Sequence, residues 1–520
     1  MRGWLKTLLR PEAITFWQLL VLALPAFLVG FVLRAALMIA VPEGYFGSDS
    51  NSYYEFAHQL FDHGVVELNE KRRWLYPIFL AWADAFPGPG WYLVPLWQHT
   101  TGLLTLLGIG WCSAQLVDRP RVVVPLVTVL AAIWPRMLWY EHEFIAEPLM
   151  LAAFVAVIAL LLTPGIARSR HGLMVLMLAF VLLAGMKGAG RFLWMGSVVG
   201  LFVLHHDPRR WLWGKISMFL AGLSIVFVST IGKASQGDWL ALSSTLPLVR
   251  TEGEPYSRYR QALKGQILEA REYGDDYPWE VFTFKKRLKR KSPDVVHPDW
   301  AALNRDKPQL SRVARSFWSE AVLRHPRRFA GMTVKTMAIA LSWTLLDSRL
   351  DPELFWEAQQ HRVAQRWQNK PQYFNRLFGL DQAAFAVRRE QGRQRSFLLL
   401  PAMRWVDRHL RWWGRLPVPS GEGSAGAGGA YPRFAPRPLG VLALLGAGAG
   451  VLFSRRRLQC LVLLLPLTLY LFATYAVGDA VSRYLQPVEW IGFVFVGVLF
   501  DLVLQAGAAG TARFRRSLNP

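Results

Sequence analysis

The chain has 520 residues, 53% of them hydrophobic and 18% charged, with a positive mean hydropathy of +0.22. An apolar excess of that size, carrying 23 Trp and 31 Phe, is too large for one soluble core, and it excludes collagen-like, disordered and small disulfide-rich classes. Lys and Arg outnumber Asp and Glu by 59 to 36, a formal charge of +23; with so apolar a chain, anionic headgroups and lipid phosphates are nearer partners than nucleic acid.

Arg2, Lys6 and Arg10 precede an apolar run from Ile14 to Val41. The run exceeds the roughly 20 residues a bilayer requires and lacks a small-residue cleavage site, which predicts an uncleaved first span with a cytoplasmic N-terminus. Further apolar runs lie near 91–117, 122–140, 144–163, 172–187, 192–206, 211–231, 329–346, 437–453, 458–476 and 487–506. Basic connections between them read as cytoplasmic: Asp118 to Arg121, Arg168 to His171, His205 to Arg210, Arg455 to Arg457, and the Arg513 to Arg516 tail. The connections at 42–90, 141–143, 187–191 and 478–486 then fall outside. Two hydrophilic blocks, Ile231 to Pro326 and Asp347 to Pro438, break the short-loop pattern. If 329–346 crossed fully, Arg455 to Arg457 would land on the wrong side, so either an interfacial or re-entrant role is expected for it, or a further span between the two blocks. The stretch Gly421 to Gly429 reads as a linker, and Arg404 to Trp413 as a helix in the headgroup plane. Cys112 and Cys460 sit in apolar runs, which argues against disulfides and a cysteine metal site.

The first outer loop carries Asp49 and Ser50 ahead of an amphipathic stretch beginning at Tyr53 and Tyr54. Asp49 can cap that helix, or act as a general base on an acceptor hydroxyl at the membrane surface. Glu143 and Glu147 lie where one span ends outside and the next begins; Pro148 belongs in a first turn, so the helix is expected to start near Ile145 with both acids at its positive end. Helix-end stabilisation is one account of them, and acids at membrane depth are also a functional signal. The tight turn Gly185 to Arg191 brings Lys187 and Arg191 to a helix start, where free amides and cations suit a phosphate presented from the bilayer, although its glycines serve close packing equally well. Arg483, in the last outer loop, is a further phosphate candidate or an interfacial anchor. No metal or other cofactor is indicated, and Glu141-His142-Glu143 lacks a second His at helical spacing.

The order of these features resembles the GT-C glycosyltransferases: an acid ahead of Tyr53-Tyr54, Tyr76-Pro77 entering the next segment, a Glu opening a span, a basic turn, and Arg483-Tyr484 before the last span. Within them the chain is similar to bacterial relatives of the protein O-mannosyltransferases and of the lipid A aminoarabinose transferases. The resemblance covers about residues 1–235, and returns at Ser316 to Phe329 with His325-Pro326 and again near Arg483. It implies an all-α polytopic bundle of about 10 to 12 transmembrane helices with outer amphipathic helices, in a bacterial inner membrane with the active site facing outward. The corresponding organisation is 1–231, 232–328, 329–346, 347–436 and 437–520.

The implied reaction moves one sugar from a polyprenyl-phosphate carrier to a hydroxyl of a glycolipid, polysaccharide or protein. Asp49 would be the base, Tyr53, Tyr54, Glu143 and Glu147 would contact sugar, and Lys187, Arg191 and Arg483 would hold the lipid phosphate. The mannosyltransferases carry Asp-Glu where this chain has Asp49-Ser50. Competing readings are a polysaccharide polymerase or ligase with a lipid-linked oligosaccharide, and a lipid or solute transporter lined by Arg34, Glu147 and Lys187.

Overall fold

The computed structural model describes residues 14–42, 44–45, 49–63, 73–85, 92–166, 169–188, 190–204, 216, 237–274, 277, 281, 284, 288, 297–303, 306–343, 368, 381–395, 438–477 and 486–518. The apolar run at 211–231, the segments Arg404 to Trp413 and Gly421 to Gly429, and Arg483 lie outside the described residues, residue 216 apart. Every named element among the described residues is helical. They are α1 (Phe16–Ala40), α2 (Ser50–His63), α3 (Leu75–Asp84), α4 (Leu93–Leu116), α5 (Pro120–Ala132), α6 (Pro135–His142), α7 (Glu147–Leu162), α8 (Arg170–Met186), α9 (Gly190–Leu204), α10 (Gly237–Thr245), α11 (Ser257–Glu272), α12 (Pro298–Leu303), α13 (Lys307–Arg324), α14 (Pro326–Trp343), α15 (Gln382–Arg395), α16 (Pro438–Phe453), α17 (Arg457–Val477) and α18 (Glu489–Leu518).

Among the described residues three helices are long and apolar enough to cross a membrane, at Phe16–Ile39, Arg457–Ala476 and Glu489–Ala509. A fourth crossing is available if α5 and α6 form one span, bent by 50° at Ile133-Trp134. Pro135 causes the break, because it cannot donate to the α5 ladder and restricts the residue before it. Shorter apolar helices lie at Glu147–Leu162, His171–Met186, Gly190–Phe202 and Leu439–Phe453. Exposed apolar side chains such as Trp17, Val21, Leu28 and Phe31 run along α1, and Leu444, Leu445 and Leu452 along α16. In water such faces would be costly; lipid solvates them. The protein is a helical membrane protein.

Small residues set the register of the bundle. A Cβ at Gly196 would meet the backbone of Pro466, and one at Gly200 would meet Val462, so α9 and α17 run antiparallel with backbones in close approach. Lys187, just ahead of α9, is then level with the C-terminal end of α17. At the opposite end Asp501, buried on α18, accepts from the Asp118 amide (2.8 Å) and pairs with Arg119 (3.4 Å), while Arg456 donates to the Gln115 carbonyl (2.5 Å). The basic connections at 118–121 and 455–457 thus gather at one end of the bundle. The buried Cys112 and Cys460 are free thiols.

A second core, with Leu242, Leu263, Ile267, Trp300, Leu310 and Phe317 in it, forms within the hydrophilic block. There Arg260, fully buried, donates to Glu320 (2.5 Å) and lies over the Phe317 ring at 4.5 Å. Burial alone would raise the Glu320 carboxyl, but hydrogen bonds from the Arg250 amide and the Arg260 and Arg250 guanidiniums hold it below the ordinary carboxylate range. This unit docks on the C-terminal end of α17, where Ser244 Oγ (3.5 Å) and Trp318 Nε1 (3.4 Å) donate to the Ala476 carbonyl. Carbonyls at a helix end lack partners within the helix, which is why a polar unit settles there.

Candidate functional site

The site is built at the end of the bundle that holds Lys187. Tyr45 bridges the segment after α6: its amide donates to the His142 carbonyl (2.6 Å), and the Phe144 amide donates to the Tyr45 carbonyl (2.9 Å). α7 begins at Glu147, two residues later than Ile145, whose amide donates to the Glu143 carbonyl (2.9 Å) in the turn ahead of it, and Pro148 lies in the first turn of α7 as expected. Burial, and the Glu143 charge nearby, raise the Tyr45 phenol above its ordinary value.

Asp49 stands directly before α2, and its carbonyl accepts from the Ser52 hydroxyl (2.8 Å) and amide (3.2 Å). The helix therefore starts at Ser50, three residues earlier than the amphipathic pattern suggests. Tyr53 and Tyr54 are buried rather than presented to solvent. Tyr53 meets Tyr76 edge-on, with ring centroids 4.9 Å apart. Tyr76 donates to Gln98 Oε1 (2.7 Å), and Gln98 Nε2 donates to the carbonyls of Glu141 (3.0 Å) and Glu143 (2.7 Å). Burial first, then the charges of Tyr53, Glu147 and Glu143, keep the Tyr76 phenol well above its usual range and so protonated. Tyr76 is thus the centre that brings Tyr53, Glu143 and Glu147 to one place.

Glu147 and Lys187 form an ion pair, Oε1 to Nζ, with side-chain exposures of 2% and 14%. The second oxygen of Glu147, Oε2, is buried without a hydrogen bond. Glu147 is the first residue of α7, where the helix dipole favours an anion. Arg191, in the first turn of α9, lies over the Phe192 ring at 4.7 Å, and its buried Nε makes no hydrogen bond. Arg73 approaches from the loop ahead of α3: burial, then the charge of Arg191, push its pKa below the ordinary guanidinium value. The two guanidiniums repel, and the start of α9, the positive end of its dipole, adds to the positive potential there.

The structure therefore gathers Tyr53, Glu143, Glu147, Lys187 and Arg191 around Tyr76 and Arg73. Asp49 stands at the entry to α2, and Arg483 lies outside the described residues. The sequence reading passes over Arg73, Gln98 and His99. Arg73 is hidden in the basic run Lys71-Arg72-Arg73, but Gln98 and His99 are adjacent polar residues in an apolar helix, a signal that could have found them. His99 and Glu141 lie with Arg34 and His142 in a buried cluster beside the site. Among the described residues no group of three or more His, Cys, Asp or Glu side chains is placed to hold a metal ion.

No protein-family model matches the chain, and no curated protein matches it. Among solved structures it is similar to the crystal structure of ArnT from Cupriavidus metallidurans bound to undecaprenyl phosphate, at 14% identity over 93% of this chain and 77% of that one, with a TM-score of 0.32. A likeness of that degree carries no argument about the site, which stands on its own geometry.

Proposed function

We propose that the protein transfers a sugar from a polyprenyl-phosphate donor to a hydroxyl acceptor at the extracytoplasmic face of the membrane, by in-line displacement at the anomeric carbon. The observation that carries this reading is the placement of two guanidiniums at the start of α9: Arg191 in its first turn, and Arg73 beside the preceding turn, where a Cβ on Gly188 would stand 3.9 Å from Arg73 Nε. Like charges held together at a helix N-terminus, beside lipid, are stabilised by a dianionic or monoanionic phosphate between them. A lipid phosphate reaches that position with its chain still in the bilayer. The same cations stabilise the departing phosphate as the glycosidic bond breaks, because they sit where negative charge develops.

In this reading Lys187 holds Glu147, Arg73 and Arg191 take the phosphate, and Arg483 joins them from the loop after α17. Glu147 Oε2 and Glu143 accept hydroxyls of the sugar, Tyr53, Tyr54 and Tyr76 pack behind them, and Asp49 removes the proton of the acceptor hydroxyl. The side of the membrane follows from the basic connections gathered at the opposite end of the bundle, which the positive-inside rule puts in the cytoplasm. The division into 1–231, 232–328, 329–346, 347–436 and 437–520 belongs to the same proposal, the second unit lying outside against the end of α17.

The test is transfer and donor binding in nanodiscs with Arg73→Ala and Arg191→Ala against a titrated polyprenyl-phosphate sugar. Removing either cation from a poorly hydrated phosphate site is expected to cost about 2–5 kcal/mol, whereas loss of a surface anchor costs about 1 kcal/mol. Donor affinity unchanged in both variants, or transfer supported by a nucleotide sugar alone, refutes the reading.

A further inference from the structure

Beside the site, four side chains from three helices are sealed from solvent. Arg34 on α1 donates through Nε (2.6 Å) and Nη2 (2.7 Å) to the two oxygens of Glu141 on α6. His99 on α4 meets Glu141 Oε2 through Nδ1 (3.1 Å) and His142 Nδ1 through Nε2 (2.8 Å), and His142 Nε2 meets the Val41 carbonyl (2.7 Å). All four are at most 3% exposed.

The hydrogens of this series can be counted. A carbonyl only accepts, so His142 Nε2 carries one. The two facing ring nitrogens need one between them, and the contact from His99 Nδ1 to the carboxylate needs another. Three contacts require three hydrogens, but one carboxylate and two neutral imidazoles supply two. We propose that Glu141, His99 and His142 share one proton beyond that complement, and that this proton completes the series through which His142 secures the stretch leading to Asp49. Without it one link would set two lone pairs against each other at buried side chains, where an unmade polar contact is costly.

His142 is the positioning residue because it grips that stretch at several points. Its ring takes the Val41 carbonyl, its own carbonyl takes the Tyr45 amide (2.6 Å), and the Tyr45 ring lies edge-on to it at 4.7 Å. Gly44 between them has φ of +63°, and a Cβ there would stand 2.9 Å from the His142 carbonyl. Asp49 follows Tyr45 by four residues. Arg34, Glu141 and the shared proton leave the cluster with one net positive charge; the groups facing it are Arg34 from α1, Tyr45, and Glu143, whose charge acts on Tyr45. The consequence for Asp49 rests on the transfer reading, but the proton count does not.

Glu141→Gln separates the two. A glutamine amide supplies the missing hydrogen to His99 Nδ1, so the series closes with both imidazoles neutral. Full-length protein in nanodiscs, with its 11 histidines labelled with ¹⁵N and the pair assigned from His99→Gln and His142→Gln, reports the hydrogens on each ring nitrogen. Wild type is expected to show three hydrogens on or between the two rings and the carboxylate at neutral pH, and Glu141→Gln two on the rings. A nitroxide on Gln59→Cys, an exposed position of α2, is expected to gain mobility several-fold on alkalinisation in wild type and to stay constant in Glu141→Gln, with the alkaline fall in turnover lost in parallel. Should Glu141→Gln fail to fold around Arg34, the Arg34→Met/Glu141→Gln pair replaces it. Two neutral rings with one hydrogen each in wild type, together with a ¹³C shift that shows the Glu141 carboxyl ionised, overturn the proton count. The excess proton present, but with nitroxide mobility independent of pH in wild type, overturns the link to the Asp49 stretch. Both spectroscopic results hold or fail without any transfer assay, so a failure of the transfer reading is seen separately.

Discussion

Replacing Lys187 tests whether its ammonium serves the ion pair or the lipid phosphate. Lys187→Ala leaves the Glu147 carboxylate, 2% exposed, without its cation. Breaking a buried pair from one side costs about 3–5 kcal/mol. Two features reduce this here: Lys187 is 14% exposed, and Glu147 begins α7, where the dipole returns about 0.3–1 kcal/mol. A destabilisation of about 3 kcal/mol is therefore expected, roughly a hundredfold in the unfolding equilibrium. Removing both charges with Glu147→Gln/Lys187→Met should restore stability to within about 1 kcal/mol of wild type, since a neutral pair of similar volume carries no desolvation penalty. Equilibrium unfolding in mixed micelles measures both variants. Binding of polyprenyl phosphate without a sugar is then measured on the double variant, so that loss of a Glu147 sugar contact does not intrude. Affinity within a few-fold of wild type is expected, because Arg73 and Arg191 remain. A loss of a hundredfold in that variant, with its stability restored, would show that Lys187 binds the phosphate itself and would refute the division of roles.

Asp49→Asn keeps the size and capping capacity of the residue while removing its basicity, so transfer should be abolished with expression and melting temperature unchanged; turnover within a few-fold of wild type would sink the base assignment. Gly102→Ala would drive a methyl into the Glu141 carboxylate and spoil the bidentate Arg34 contact, and should cost about 2–5 kcal/mol by overpacking and an unpaired buried charge. Gly196→Ala should separate α9 from Pro466 on α17 and cost about 1–3 kcal/mol, read by unfolding of the purified protein. Because the Glu320 carboxyl is held below its ordinary value in the fold, its stabilisation is fully present above the unfolded-state pKa and is lost as the pH falls through the folded one. Acid unfolding of the wild-type protein should show this limb and Glu320→Gln should lack it. Thiols introduced at Ser52 should react with an impermeant reagent added outside cells and one at Ser169 should not; the reverse pattern would invert the orientation.

The helical membrane class was legible in composition and hydropathy because lipid imposes it: a backbone in the bilayer must satisfy its own polar groups. Spans were harder to delimit. A run such as 122–140 is continuous in apolar character, but Pro135 breaks it into α5 and α6, and several other apolar helices are shorter than a straight crossing requires. Long-range backbone contacts were not legible either: Phe144 donates to Tyr45, 99 residues away in sequence, and no local pattern announces that. The acids and cations of the outer turns were legible as types, since charge near lipid is rare. Their partners were not, because Glu147 with Lys187, Arg34 with Glu141, and Arg73 beside Arg191 are joined by packing between helices far apart in the chain.

Those pairings also explain why charge inside the bundle need not mark a transport path. Arg34 is bound by Glu141, Arg136 by Glu489 (2.9 Å), Lys187 by Glu147 and Arg119 by Asp501, each pair tying together helices that lack a hydrophobic drive to associate in lipid. A path for ions or solutes requires groups that can exchange partners, and bidentate or buried pairs with neutral surroundings exchange slowly. At the start of α9 two like charges act on one another: after burial, the charge of Arg191 lowers the pKa of Arg73.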